Sequence, residues 1–222
     1  MLPRIPAQLL DLYQPFSFRE AFYLRARWRL CPFDLVESHL PKTGRVLDFG
    51  CGYGMLSNYL ALKSPRRSVF GIDLNPNRIS VAQRSLKDNG DVIFKCGDID
   101  DLDMAPFDAV VMTDVLHHIS DSNIRLLMQK VKTLLKSDGS LVILDVDKSP
   151  LWKFFMTYTI DRLLNLNRSL HYRSASAMGF LMEELSFAIE KTIPADRGLP
   201  LADILYLCKK MPDHPMRHLV QI

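Results

Sequence analysis

The sequence predicts an α/β fold in which parallel strands alternate with helices. Short apolar runs alternate along the chain with longer amphipathic stretches, as in strands joined by crossover helices. One of these runs, in VLDFGCGYG at 46–54, ends at an acid and continues directly into a glycine-rich turn. The chain has 222 residues, 48% of them hydrophobic, which is enough for one domain with a sizeable core.

The elements follow in a regular order. We predict strands at 45–49, 68–72, 92–95, 108–112, 140–145, 187–193 and 203–208, and helices between them at 54–63, 76–88, 121–136 and 176–185. Gly90 and Gly139 lie just past two of these helices, where a left-handed residue often ends a helix. Two further helical stretches, 17–39 and one beginning near Pro150, fall outside the alternation, so we assign both to a cap.

Net charge and cysteine content argue against several classes of function. The net charge of +3 (28 Lys and Arg against 25 Asp and Glu) is too small to indicate a nucleic-acid-binding protein. The ends are basic, since residues 1–32 hold five bases and two acids and residues 148–222 hold 10 and 7, whereas residues 33–147 hold 13 and 16. Four cysteines are scattered without the paired spacing of a metal site or redox motif: Cys31, Cys51, Cys96 and Cys208. We therefore expect reduced thiols and no metal.

Targeting signals are also missing from the sequence. The first residues lack the uninterrupted apolar run of a signal peptide. The most apolar stretch, 151–166, is interrupted by Asp161 and Arg162 and is too short to span a bilayer. We expect a cytoplasmic protein without a transmembrane segment, whose surface can touch a membrane peripherally.

The glycine-rich turn is compatible with only some nucleotide ligands. A phosphate-binding loop needs Lys and then Ser or Thr after its last glycine, but Gly54 is followed by Met55 and Leu56. The dinucleotide pattern G-x-G-x-x-G also fails, because the glycines are Gly50, Gly52 and Gly54.

Acidic residues at or near the ends of the first three predicted strands limit the possible ligands further. Asp48, at the start of the turn, would repel a pyrophosphate but would attract a ligand that carries an ammonium and a sulfonium, as S-adenosylmethionine does. Asp73 ends the second strand, where an acid can accept both ribose hydroxyls, a feature shared with nicotinamide sites. Asp98 and Ile99 follow the third strand and could hold the adenine amino group and one face of its ring.

These blocks, in this order over residues 44–146, resemble the class I S-adenosylmethionine-dependent methyltransferases. The blocks are GRVLDFGCGYG, GIDLNPNRI, GDIDDLD, FDAVVMTDVLHHI and LLKSDGSLVILDV. The resemblance implies a Rossmann-like seven-stranded sheet of order 3-2-1-4-5-7-6, with strand 7 antiparallel and helices on both faces. It also implies a cofactor-binding set: Asp48, Gly50, Cys51, Gly52, Tyr53, Gly54, Asp73, Leu74, Asp98, Ile99 and Thr113. For Tyr53, a packing role is an equal alternative to covering the methionine end.

We accordingly predict a single methyltransferase domain over 1–222. Its N-terminal helical cap covers 1–40, its cofactor-binding core 41–147, and its substrate cap with the last two strands 148–222.

Candidate catalytic groups lie in MTDVLHHIS, which follows strand four and so lies at the carboxyl edge of the sheet, where ligands of open α/β folds bind. His117 and His118 have ordinary pKa values near neutrality, suited to proton abstraction, and at most one of them should face the acceptor. For His118 the alternative is a structural hydrogen bond that holds the turn. Asp114 could orient either a histidine or the ligand.

The caps supply candidate acceptor-binding residues. On the leading helix, Phe18 and Phe22 share one face with Arg25, while Arg27 and Arg29 are expected on other faces. Either this helix simply packs on the sheet with its arginines in water, or its arginines form a basic rim for an acidic partner and its aromatic residues line an apolar acceptor tunnel. From the second cap we select Trp152 and Tyr172. His171 and Tyr172 belong either to a segment that folds over the site or to an exposed loop. This aromatic content favours a flat or lipid-like acceptor.

Other features bear on the accepting atom and on competing functions. The N/D-P-P-Y/F signature of amino-group methylation is missing after strand four, which favours oxygen or carbon. The flanking segments FYLRARWRLCPFD, WKFF and DRGLPLADILYLCKK resemble the small methyltransferases of bacterial aryl polyene and related fatty-acid-like synthesis, which implies a phenolic acceptor on an acyl carrier protein. Two alternatives stay open: a non-catalytic S-adenosylmethionine-binding regulatory module, and a nicotinamide oxidoreductase.

Overall fold

A seven-stranded mixed sheet forms the centre of the computed structural model, which describes residues 4–14, 17–86, 91–102, 106–164 and 169–211. The strand order is β3-β2-β1-β4-β5-β7-β6, and β7 runs antiparallel to both of its neighbours. The predicted sheet is confirmed. In chain order the strands are β1 Gly44–Phe49, β2 Arg67–Asp73, β3 Val92–Cys96, β4 Phe107–Thr113, β5 Leu135–Val146, β6 Phe187–Pro194 and β7 Asp203–Lys210.

Helices cover both faces of this sheet and extend beyond it at the cap. They are α1 Ala7–Asp11, α2 Phe18–Leu30, α3 Phe33–Ser38, α4 Met55–Lys63, α5 Pro76–Arg84, α6 Asp121–Leu134, α7 Leu151–Leu164 and α8 Ala175–Glu184, with short 3-10 turns at Ile99–Asp101 and Leu116–His118. Within the described residues, no helix is long and apolar enough to cross a membrane.

Two of the predicted elements differ clearly from the structure. The stretch at 17–39 is not one helix, because Cys31 is extended and Pro32 has no backbone N–H with which to continue a helix. Strand β5 begins at Leu135, not at 140, so Gly139 lies inside a strand and does not adopt a left-handed conformation. The other predicted helix end, Gly90, lies outside the described residues.

Successive strand residues feed two cores on opposite faces of the sheet, because side chains alternate along a strand. Val46 packs with Leu24 and Trp28 of α2 in the core on one face, whereas Leu47 packs with Met128 of α6 and Leu181 of α8 on the other. Because β1, β2, β4 and β5 run parallel, their carboxyl ends meet at one edge of the sheet.

The turn between β1 and α4 leaves no room for a side chain at its last glycine. Gly54 has φ 75° and precedes the first residue of α4. A Cβ atom at Gly54 would lie 2.3 Å from Cζ of Phe94. Gly198 has nearly the same φ, 74°, but a Cβ atom there would have nothing within 4 Å. Comparing the two positions distinguishes the effect of backbone strain, present at both, from that of steric overlap, present only at Gly54.

Substituting each glycine by alanine should give different losses of stability. We expect Gly198→Ala to lower the free energy of unfolding by about 1 kcal/mol, because only the left-handed backbone is strained. Gly54→Ala should cost a further ~1–3 kcal/mol, since the methyl group overlaps Phe94. Urea unfolding of the two variants measures the difference, and equal losses would show that the turn can relax around a side chain.

Candidate active site

Five carboxylates gather at the carboxyl edge of the sheet. Asp48 and Asp73 lie near the ends of β1 and β2, Asp114 follows β4, and Asp145 is the penultimate residue of β5. Asp203 joins them because β7 is antiparallel, so that its first residue pairs with the last residue of β5. The sequence of turns and strand ends thus concentrates negative charge at one side of the fold.

Asp48 is the most deeply buried of these acids. Its side chain has no exposed surface, and its Oδ2 atom accepts a hydrogen bond from Ser57 Oγ at 2.6 Å. The Oδ1 atom has no hydrogen-bond partner within the described part of the chain. Burial raises the pKa of Asp48 to about 6, although the hydrogen bond from Ser57 opposes this increase. A buried carboxylate oxygen that lacks a hydrogen-bond partner is suited to a ligand with a cationic hydrogen-bond donor.

Asp73 ties the glycine turn to β2. Its Oδ2 atom accepts the N–H of Gly52 at 3.0 Å, and its Oδ1 atom accepts the N–H of Asn75 at 2.8 Å. The Arg78 guanidinium lies 3.9 Å from Oδ2. A Cβ atom at Gly52 would meet no heavy atom closer than the Tyr23 hydroxyl at 3.8 Å, so the turn has open space on that side. A ligand can therefore approach this backbone closely.

The other predicted cofactor residues divide into exposed and buried ones. Asp98 is exposed and accepts the N–H of Ile99 at 2.6 Å, whereas Ile99 itself is buried in the core that contains Leu47. The Tyr53 ring contacts the Tyr23 ring at 4.5 Å between centroids and is half-buried. The remaining members are the half-buried Gly50, the exposed Leu74, the buried Cys51 and the buried Thr113.

His117 is buried at the end of β4 and lies between two carboxylates. Its Nδ1 atom is 2.5 Å from Asp145 Oδ1, and its Nε2 atom is 3.7 Å from Asp161 Oδ2. Tyr172 stacks on the imidazole, with ring centroids 5.3 Å apart and an interplanar angle of 12°. His118 is half-buried beside it, at 4.1 Å between ring centroids. His117 thus has a carboxylate on each side of its ring and an aromatic ring stacked on it.

The pKa of His117 in the folded protein lies above the ordinary near-neutral value of histidine. Burial alone would lower this pKa, but the charge of Asp145 and the hydrogen bond to it, together with Asp114 and Asp161, outweigh burial and raise it to about 9. At neutral pH the imidazole is therefore protonated in the unliganded protein, and it becomes a base only when that proton leaves.

Helix α7 and the segment after it close over His117. Tyr172 donates its hydroxyl proton to Asp161 Oδ2 at 2.6 Å, and the backbone N–H of His171 donates to the carbonyl of His117 at 2.6 Å. Phe154 contacts the Tyr172 ring edge-to-face at 5.0 Å between centroids. Of the two residues selected from this segment, Tyr172 packs against His117, whereas the His171 side chain is exposed.

Asp114 links the N-terminal cap to the end of β4. Its backbone is left-handed, with φ 55°, and its carboxylate forms an ion pair with Arg27 of α2. Arg27 also donates to the carbonyl of Thr113 at 3.3 Å. The structure therefore pairs Asp114 with an arginine, while its charge helps to raise the pKa of His117. Burial and the charge of Asp114 likewise raise the pKa of Asp203.

Three predicted acceptor residues are not brought to this cluster. Phe18 and Phe22 are 87% and 66% exposed, so they do not line an enclosed tunnel in this structure. Trp152 is 60% exposed on the outer face of α7. On α2, Arg29 is exposed four residues after Arg25, which places it on the face of Phe18 and Phe22, contrary to expectation.

Sequence reasoning missed Asp145, Asp161 and the site role of Arg27. An acid at the end of β5, next to β4, was a usable signal for Asp145, because the two strands were expected to be neighbours. A lone acid within the apolar stretch of α7 was a signal for Asp161. Within the described residues, no group of three or more His, Cys, Asp or Glu is placed to hold a metal ion.

Comparison with known sequences identifies the central part of the chain. Residues 46–139 match the family model described as a methyltransferase domain. The ubiquinone biosynthesis O-methyltransferase of Xylella fastidiosa is 34% identical over 121 residues, which are 52% of this chain and 48% of that protein. The enzyme of the same name from Chromobacterium violaceum is 32% identical over 129 residues, 56% of this chain and 49% of that protein. The chain thus matches about half the length of these curated relatives.

Comparison with solved structures supports the fold over most of the chain. The mitomycin 7-O-methyltransferase aligns with TM-score 0.70 and 19% identity over 91% of this chain and 60% of that one. A methyltransferase of Methanosarcina mazei aligns with TM-score 0.63 and 20% identity over 81% of this chain and 98% of that one. At these identities the likeness shows the fold alone. Together with the family match, it identifies residues 46–139 as part of a class I, S-adenosylmethionine-dependent methyltransferase domain.

Proposed function

We propose that this protein transfers a methyl group from S-adenosylmethionine to the oxygen of a phenolic hydroxyl on a small aromatic acceptor. The observation that carries this proposal is the contact between buried His117 and Asp145 at the sheet edge that also bears the glycine turn. When bound, S-adenosylmethionine supplies a methyl group activated by a sulfonium. The protein's own groups then have to hold the cofactor, align the acceptor and remove one proton.

The residues around the glycine turn fit this cofactor. The buried Oδ1 atom of Asp48 has no hydrogen-bond partner in the described residues, so it could accept a hydrogen bond from the cationic end of S-adenosylmethionine. Asp73 has free acceptor capacity beyond its two backbone hydrogen bonds, because each carboxylate oxygen can accept more than one. The open space beside Gly52 supports close approach of the ligand to the backbone.

The strength of the histidine as a base favours a phenolic acceptor. By Brønsted behaviour, proton transfer from the acceptor becomes more favourable as the pKa of the base approaches that of the acceptor. His117, with a pKa of about 9, approaches the ordinary phenol value of about 10, the reference value for tyrosine. A neutral amine already has a lone pair and needs no such base. The arrangement is therefore better suited to oxygen than to nitrogen.

The neighbours of His117 would make it a directed base. With Nδ1–H donating a hydrogen bond to Asp145, Nε2 is left as the atom that takes the proton of the acceptor. Tyr172 stacks on one ring face and Phe154 contacts Tyr172, so aromatic surface limits the access of water. Asp161 faces Nε2 at 3.7 Å and would stabilise the imidazolium that forms.

The names of the similar proteins are compatible with an aromatic oxygen acceptor. Two relatives are named ubiquinone biosynthesis O-methyltransferases. One solved structure, at 17% identity and TM-score 0.69 over 87% of this chain and 57% of that one, is an O-methyltransferase in complex with S-adenosylmethionine and 2-hydroxy-5-methyl naphthoic acid.

A finer form of the proposal places the phenolic ring on an acyl carrier protein, as in aryl polyene-type synthesis. The exposed arginines of α2, Arg19, Arg25 and Arg29, support it because they could contact an acidic carrier surface. Methylation of a free phenol but not of the same phenol on a carrier would remove this finer form. Binding of S-adenosylmethionine without turnover on either acceptor would instead favour the regulatory-module alternative.

Methyl transfer to a panel of substituted phenols should depend on His117 and on pH. The rate constant kcat/KM should rise with pH, reach half of its plateau value at about pH 9 and level off above it, because only the neutral imidazole accepts a proton. His117→Gln should lower kcat by about 10²–10⁴, and the loss should be smaller for more acidic phenols. The matched control is His171→Gln, which changes an exposed histidine of the adjoining segment. Equal losses in both variants would contradict the role of His117.

The variant Asp145→Asn tests whether Asp145 positions and charges His117 or only supports the structure around it. Removing the carboxylate charge should lower the pKa of His117 and move the pH at which the rate levels off to a lower value. A uniform loss of activity without this shift would contradict the account.

Asp48→Asn should change how stability depends on pH. The folded pKa of Asp48, about 6, is above its ordinary value of 3.8, so its contribution to stability is fully present below about pH 4 and is lost as pH rises through about 6. Relative to the unsubstituted protein, the variant should therefore gain on the order of 2 kcal/mol between about pH 4 and about pH 7.5. Urea unfolding without ligand at both pH values measures this gain. A constant difference would show that Asp48 is not desolvated.

A further inference from the structure

Helix α7 turns three of its polar residues inward and most of its large apolar residues outward. Residues three and four apart share a face of a helix. On the inner face, Lys153 forms an ion pair with Asp196, Thr157 Oγ1 accepts the N–H of Ala202 at 3.0 Å, and Asp161 accepts the Tyr172 hydroxyl. This orientation is opposite to that of a helix whose apolar stripe faces the core.

The outer face is mostly apolar and aromatic. Its exposed large side chains are Leu151, Trp152, Phe155, Met156 and Tyr158. At about 100° per residue they occupy close to half of the helix circumference, together with Thr159 and Arg162. A contiguous apolar surface of this kind usually marks a contact with a membrane or a partner.

One exposed base lies at each end of this outer face. Lys148 and Arg162 are exposed at the two ends of the helix, and the only acid of α7, Asp161, faces inward. Lys153 also lies 5.6 Å from the Trp152 ring centroid. Apolar aromatic side chains flanked by exposed bases match a bilayer interface that contains anionic lipids. A second copy of this face would instead bring bases towards bases, since a two-fold interface pairs a surface with itself.

We propose that the outer face of α7 docks on a lipid bilayer that contains anionic lipids. Leu151, Trp152 and Phe155 insert at the level of the headgroups, and Lys148 and Arg162 contact lipid phosphates. The inner face of the same helix carries Asp161 beside His117, so docking brings the catalytic edge close to a source of apolar acceptors. Docking goes beyond the proposed methyl transfer, and its test does not require turnover.

Intrinsic fluorescence offers a direct test, because the two tryptophans differ in exposure. Trp152 is 60% exposed, whereas Trp28 is 3% exposed. Adding vesicles of phosphatidylcholine with about one quarter phosphatidylglycerol should shift the emission to shorter wavelength, and lipids brominated on the acyl chain should quench it. Vesicles of phosphatidylcholine alone should bind less protein, and added salt should weaken binding to the anionic vesicles.

Matched variants locate the docking surface. Phe155→Ser should lower the vesicle partition coefficient about tenfold, in line with the loss of one buried aromatic side chain. Phe180→Ser, at a position on α8 that is 75% exposed, should leave it unchanged. Both residues are exposed, so both variants should unfold at the temperature of the unsubstituted protein.

Three results would overturn the proposal. The first is the absence of a spectral shift and of co-sedimentation with anionic vesicles. The second is an equal loss of binding in the Phe155→Ser and Phe180→Ser variants. The third is a spectral shift that depends on protein concentration without lipid, which would make a second copy of the chain the occupant of this face.

Discussion

The burial of carboxylates at the carboxyl edge of the sheet is the constraint on which the site depends. Parallel strands β1 and β4 carry apolar residues on both faces, so acids at their ends lie in a region of low polarity. Asp48 retains an oxygen without a hydrogen-bond partner in the described chain, and Asp145 is held by His117. An unpaired buried carboxylate lowers stability, which is acceptable where a cationic ligand later binds it. The fold thus keeps at its ligand edge an electrostatic arrangement that a purely structural core would avoid.

The caps take part in the same electrostatic system. Arg27 of α2 pairs with Asp114, and Asp161 of α7 faces His117, so both helices outside the alternating core contribute charges to the end of β4. These contacts explain why the pKa of His117 is high despite burial: its carboxylate neighbours come from three elements. They also fix the orientation of α7, because Lys153, Thr157 and Asp161 all point inward. The apolar surface of α7 is left outside as a consequence.

The sequence was sufficient for the sheet and for the family, but not for the details of the site. Strand order followed from the resemblance, and the acid and glycine pattern at 48–54 predicted the turn. The pKa of His117 could not be predicted, because it depends on Asp145 and Asp161, which are distant in sequence and near only in the folded chain. Which face of α7 is turned toward the protein could not be predicted either. Sequence periodicity shows that a helix has an apolar face, but it does not show whether that face is buried. The end of α2 near Pro32, by contrast, could have been predicted from the missing N–H.

The central claim is that the unsatisfied carboxylate beneath the glycine turn exists for the cationic end of S-adenosylmethionine. Calorimetric titration of the purified protein with S-adenosylmethionine, S-adenosylhomocysteine and NAD, beside the Asp48→Asn variant, tests it most directly. The account predicts binding of the first two ligands, no binding of NAD, and binding of S-adenosylmethionine that is about tenfold or more weaker in the variant, because a charge-assisted contact is lost. Unchanged affinity in the variant, or binding of NAD alone, would contradict it.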